Sequence, residues 1–208
     1  MNAERNHIKI FVSSTVYDFE TDLRRIFITL DGFGYDVYMS KEGTIPLNSR
    51  LSNLVNCVNG VEECDIFLGI VRPLIGSGVL KKGERSITAQ EFDKAIELGM
   101  IRFILADYRV EFAHRFLNMM KIHPEQIPMN RERISATEEG TPVIEKIPNN
   151  LIHGECVEMY QNAIQNNIHP AIRRIGNWAQ PYKDGEDILR FIEAQFKDVE
   201  RIKSLING

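Results

Sequence analysis

Cysteine is scarce in this chain. Cys57, Cys64 and Cys156 are the whole set, an odd number without metal-ligand spacing. Cys57 and Cys64 lie seven apart, on one face of any helix holding both, and read as small buried hydrophobes in preference to a redox pair. The five histidines, His7, His114, His123, His153 and His169, are scattered and make no cluster with acids or thiols, so no metal site is expected. Glycine-rich phosphate signatures are missing as well. No G-x-G-x-x-G follows the first apolar run and no G-x-x-x-x-G-K-[ST] occurs anywhere, which removes the usual support for hydride transfer or triphosphate hydrolysis. Nor does the third apolar run end in a phosphoacceptor aspartate. It ends Val71-Arg72-Pro73, against a receiver domain.

Positive charge is not in excess: the net charge is −4, so no global field invites nucleic acid. No apolar run approaches the roughly 18 residues that span a bilayer. The opening MNAERNHIK has no apolar core of the signal-peptide kind. The expectation is a cytoplasmic protein without membrane or nucleic-acid attachment.

What is present is a sizeable core. Of 208 residues, 43% are hydrophobic, enough for one domain with an appended piece. Short apolar runs alternate with helical patterns over the first half. Residues 8–12 form strand-like run one, ending in Ser13-Ser14-Thr15. Val16, Phe19, Leu23, Ile26, Phe27 and Leu30 then recur at helical spacing up to Gly32 and Gly34. A second short strand is expected over 35–39. The next helix carries Leu51, Leu54, Val55, Val58 and Val61, with Asn48 or Ser49 as its cap. Residues 66–71 are nearly all apolar, as in a strand covered on both faces. A loop over 72–85 leads to a helix striped by Phe92, Ala95, Ile96 and Gly99, and a fourth buried strand follows over 101–106.

Strand and helix in strict alternation require parallel pairing with right-handed crossovers. The expected fold class is therefore α/β, a doubly wound, mainly parallel sheet of four to five strands in a core over 1–108. Residues 109–176 read as a mostly helical and irregular insertion. They hold helical patterns over 111–121 and 156–166, and between them a stretch with Pro124, Pro128, Pro142 and Pro148 that reads as irregular. Residues 177–208 complete the core with an edge strand and a final helix, capped by Asp184 and striped by Ile188, Ile192, Phe196, Val199 and Ile202.

Ligands of such sheets bind beyond the carboxyl ends of the strands, near the point where strand order reverses. Ser13, Ser14 and Thr15 bring hydroxyls and free amides to that edge. They suit an anion or a sugar hydroxyl, or else Thr15 simply caps the helix with Asp18. The 72–85 loop carries Lys81, Lys82 and Arg85, which read as a solvated turn or as a basic flap, and Arg72 follows the buried strand directly. Glu91 admits two readings. Thr88-x-x-Glu91 has the spacing of a capping box. At the border of the apolar stripe, ionised by the helix terminus, the same carboxylate would suit an oxocarbenium-like sugar centre.

Four stretches, IKIFVSSTVYDFETDLRR, YDVYMS, VEECDIFLGIVRPLIGSG and SITAQEFDKAIELGMIRFIL, together resemble a family of prokaryotic TIR-like modules catalogued as a domain of unknown function and often found in signalling or defence proteins. The resemblance spans about residues 7–108, with an echo at ECVEMYQNAI and in the final helix. TIR domains and nucleoside deoxyribosyltransferases share this order of elements and keep a catalytic glutamate in an S/T-rich lead into E-x-x-x-A. The resemblance implies Glu91 as that glutamate, with Ser86 and Thr88 beside it and Ser13, Ser14, Thr15, Tyr17 and Arg72 lining the pocket. It further implies cleavage of an N-glycosidic bond, by hydrolysis, cyclisation or ribosyl transfer, with NAD or a related nucleotide as substrate and no resident cofactor or metal. The alternative it implies is a non-catalytic module that self-associates or docks to a signalling partner.

Overall fold

The strands of the main sheet are separated along the chain by helices, as parallel pairing requires. The computed structural model describes residues 7–78, 85–126, 132–136, 142–146, 152–168 and 171–208; of 132–136, 142–146 and 171 it describes the backbone alone. The main sheet contains β1 (Lys9–Ser14), β2 (Asp36–Tyr38), β3 (Ile66–Val71), β4 (Ile101–Asp107) and, in the order of the chain, β7 (Ala179–Tyr182). Its spatial order is β2-β1-β3-β4-β7 and all pairs are parallel. The expected doubly wound α/β sheet is the fold, with five strands. Strand order reverses between β1 and β3.

Period-two alternation divides the core. Ile10, Val12, Ile66, Leu68 and Ile70 face α1 (Glu20–Gly32), α6 (Gly185–Phe196) and α7 (Val199–Asn207). Phe11, Phe67 and Val71 face α2 (Asn53–Glu62), α3 (Ile87–Glu97), α4 (Tyr108–Met120) and α5 (Gly154–Ala163). By the same alternation Ser13 belongs to the second face, in register with Gly69 of β3. Gly69 has a steric task there. A Cβ on it would stand 2.4 Å from the Phe92 ring, so its absence lets α3 close onto the sheet and set Phe92 edge-on to Phe67 at 5.0 Å.

The stretch read as an insertion supplies part of that second core. Val110, Cys156, Met159, Tyr160 and Ala163 are buried in it. The chain between α4 and α5 is not wholly irregular, as had been expected: β5 (Glu132–Ala136) and β6 (Pro142–Lys146) form an antiparallel pair. Proline at the first residue of β6 is compatible with pairing, because a strand start need not donate.

Three further expectations are corrected by local hydrogen bonding. Helix α2 is capped by Ser52, whose Oγ accepts from Val55 N, while the side chain of Asn48 accepts from Arg50 N in the turn before it. Leu51 and Val55 consequently sit exposed, and the buried face of α2 is Asn56, Cys57, Gly60 and Val61. The helix after β1 starts at Glu20, beyond a turn in which Asp18 has φ +55°, so Ser13-Ser14-Thr15 is not its N-terminus. The single final helix is two, because Asp198 caps a new one by accepting from Arg201 N. Asp184 does cap α6, accepting from Glu186 N and Asp187 N.

Candidate functional site

A cavity of about 380 Å³ opens at the carboxyl ends of β1 and β3, where the strand order reverses. Ser14, Thr15, Val16 and Tyr17 line it from the loop after β1, Ser40, Gly43, Ile45 and Leu47 from the loop after β2, and Asn53 and Cys57 from α2. Gly76 and Ser77 add the loop after β3, and Ile87, Thr88 and Glu91 the first turns of α3. Its size is that of a small-molecule site, apolar side chains mixed with a few convergent polar ones.

Glu91 is the chemical centre of this wall. Its carboxyl is buried and accepts a 2.5 Å hydrogen bond from Ser13 Oγ. The Cys57 thiol reaches it from α2. Burial pushes Glu91 up to about 7, against the opposing pull of the Ser13 and Cys57 hydrogen bonds. The helix terminus had suggested a fully ionised group at neutral pH. Desolvation overrides it, and the carboxyl is poised near neutrality. Cys57 is pushed up to about 12, chiefly by burial and then by Glu91, so it stays a thiol and donates.

Glu91 is not a capping residue. The N-cap of α3 is Ser86, whose Oγ accepts from Ala89 N, and Thr88 and Glu91 lie inside the helix. The capping-box spacing is thus a coincidence of sequence. Thr88 packs against the loop instead: a Cβ on Gly76 would stand 2.6 Å from Thr88 Oγ1.

The other residues singled out from the sequence divide. Ser14, Thr15, Tyr17 and Thr88 line the cavity with Glu91, and Ser13 stands behind Glu91. Thr15 is not a cap, since its Oγ1 donates to Leu74 O at 2.9 Å and ties the β1 loop to the β3 loop. Arg72 lies at the expected edge but not in the cavity lining. It donates to the carbonyls of Thr15 and Tyr17 and lies over the Phe19 ring at 4.5 Å, clamping the loop from behind. Ser86 points away, toward Glu155. Lys81 and Lys82 lie outside the described residues, and Arg85 pairs with Asp93 at 2.8 Å and Glu158 at 3.3 Å.

Ser40 and Ser77 lie on loops that the order of elements places at this edge, although neither residue is singled out by the sequence, whereas Asn53 and Cys57 of α2 are not expected there at all. Cys57 carried no signal of its own, because one buried thiol on a helix looks like any small hydrophobe. Among the described residues no group of three or more His, Cys, Asp or Glu is arranged to hold a metal ion, and no helix is long and apolar enough to cross a membrane.

Fold and site together define a flavodoxin-like α/β protein with one buried carboxyl facing a cavity at the switch point. The chain belongs to the family described as a domain of unknown function, DUF4062, whose model matches residues 9–169. No curated protein matches it. A solved structure, that of a conserved protein from Enterococcus faecalis V583, is similar over 91% of this chain and 99% of that one, at 14% identity and a TM-score of 0.41.

Proposed function

We propose that the protein is a TIR-like N-glycosidase acting on NAD or a related nucleotide, of the kind that serves signalling or anti-phage defence. One observation carries the reading: Glu91 is buried, held by Ser13, and part of the wall of a ligand-sized cavity. In the reaction the bond between the anomeric carbon and the base nitrogen breaks, and its electron pair leaves with the base. The ribose is left with positive charge. Ionised Glu91 stabilises that charge or closes on it as an ester, and water or another nucleophile completes hydrolysis or transfer. The hydroxyls of Ser14, Thr15, Ser40 and Thr88 suit the sugar, and Tyr17, Ile45 and Leu47 suit a base. A group titrating near 7 is compatible with this use, since positive charge developing on the ribose favours its ionised form in a site where little water competes.

Thermal unfolding with NAD, ADP-ribose and a free nucleoside tests the binding half of the reading. A ligand that occupies the cavity raises Tm in a concentration-dependent way, by linkage. No rise with any of the three at millimolar concentration rejects it.

A specific feature favours a second reading, a non-catalytic recognition module. On α4, Phe112, Phe116 and Met119 are exposed, and the two rings stack at 6.3 Å. An apolar face of that kind suits a homo-oligomer or a protein partner. Under this reading the protein binds no nucleotide, and Phe112→Ser abolishes self-association in sedimentation.

A further inference from the structure

The cavity is built from a helix whose start is held from far along the chain. Ser86, the N-cap of α3, is fully buried. Its backbone N–H donates to Glu155 Oε2 at 3.1 Å and its Oγ donates to Glu155 Oε1 at 2.5 Å. The same Oγ accepts from Ala89 N at 3.2 Å, so one serine joins the helix terminus to α5. Glu155 is itself buried in the first turn of α5. The residue two before it holds the other end of the same loop, His153 N donating to Pro73 O at 3.0 Å. The His153 ring caps α5 by accepting from Glu155 N at Nδ1, and burial, which keeps this imidazole below its ordinary range, favours the neutral form that can accept. The loop that contributes Gly76 and Ser77 to the cavity is therefore fastened at Pro73 and at Ser86 by one turn of α5.

We propose that Glu155 is a positioning residue for Glu91: it fixes the first turn of α3 through Ser86 and so sets the carboxyl against Ser13 at the cavity wall. Glu155 touches no cavity space itself, so its effect passes through Ser86 and the helix. The assignment rests on Glu91 being the group that meets substrate. Around Glu91 stand Ser13 from β1, Cys57 from α2 and Thr88 of its own helix. Loosening the α3 terminus admits water to this enclosure.

The test is the titration of Glu91 followed by carbon NMR of its side-chain carboxyl in the full chain, as wild type, Glu155→Gln and Glu155→Ala. Glu155→Ala should lower the midpoint by about one pH unit toward the ordinary carboxyl range, as hydration replaces burial. Glu155→Gln keeps one acceptor for Ser86 and should fall between. If the alanine variant does not fold, the isosteric glutamine variant decides the matter alone. Folded variants that titrate at the wild-type midpoint overturn the proposal. Nicotinamide release from NAD, measured alongside, should drop in kcat with KM little changed, because the ligand contacts remain. A wild type that releases no nicotinamide would count against the proposed function, while the titration would still decide the role of Glu155.

Discussion

Ser13 and Glu91 meet through a 2.5 Å hydrogen bond that joins the end of β1 to the second turn of α3, across 78 residues of chain. Their meeting follows from three local facts. Alternation along β1 puts Ser13 on the helix-covered face, register puts it beside Gly69, and the missing side chain of Gly69 lets α3 come close. Because Ser13 donates to Glu91, it favours the charged form. Ser13→Ala should therefore raise the Glu91 midpoint above its value of about 7, and carbon NMR of the carboxyl reads the change directly. A midpoint that stays or falls would show that the hydrogen bond does not tune the group.

Burial of Glu91 also predicts how stability varies with pH. Its folded midpoint is about 7 and its ordinary value 4.5, so between the two the folded chain holds a proton that the unfolded chain has lost. Stability from this group is thus complete below about pH 4.5, declines as pH rises toward 7, and is flat beyond. The limiting slope for one proton is about 1.4 kcal/mol per pH unit. Glu91→Gln should remove this contribution and melt higher than wild type at pH 8. Calorimetry of the two proteins from pH 5 to 8 tests it, with parallel curves as the contrary outcome.

Gly69→Ala should destabilise the fold by about 1–3 kcal/mol, the usual cost of forcing a methyl into a packed core. The ring of Phe92 stands where the methyl would go, and it is buried with Phe67 behind it. The midpoint of denaturant unfolding measures the change.

The cap of α2 gives a sharper comparison. Ser52→Ala should cost about 1 kcal/mol, because Val55 N loses its acceptor. Ser49→Ala, at one of the two positions that sequence alone proposed, should stay within about 0.5 kcal/mol of wild type.

These cases show what sequence could and could not carry. The apolar run of β3, buried at every residue, and the stripe of Phe92 and Ala95 on α3 were legible because periodicity records burial directly. So was the edge of the sheet where Ser14, Thr15 and Glu91 come together, since parallel order fixes which loops share an end. Asp184 was legible as the cap of α6, but the caps of α2 and α3 were not, because several hydroxyls stand near each of those helix starts and only backbone geometry selects among them. Ser86 wins over Thr88 in α3, and Ser52 over Ser49 in α2.

Long-range partners left no trace either. Nothing in the spacing of Ser86 and Glu155, 69 residues apart, marks them as one buried pair. The raised midpoint of Glu91 is hidden from the sequence for a related reason. Helix position is local and visible, whereas the desolvation that outweighs it comes from the closing together of distant elements.

The central claim is that Glu91 performs bond cleavage on a sugar held in the cavity. Chromatography of NAD incubated with wild type and with Glu91→Gln tests it most directly. Nicotinamide should be released by the wild type, with a loss of roughly a hundredfold or more in the folded variant. Equal release by both proteins would contradict it, as would no release by a wild type whose melting temperature NAD raises.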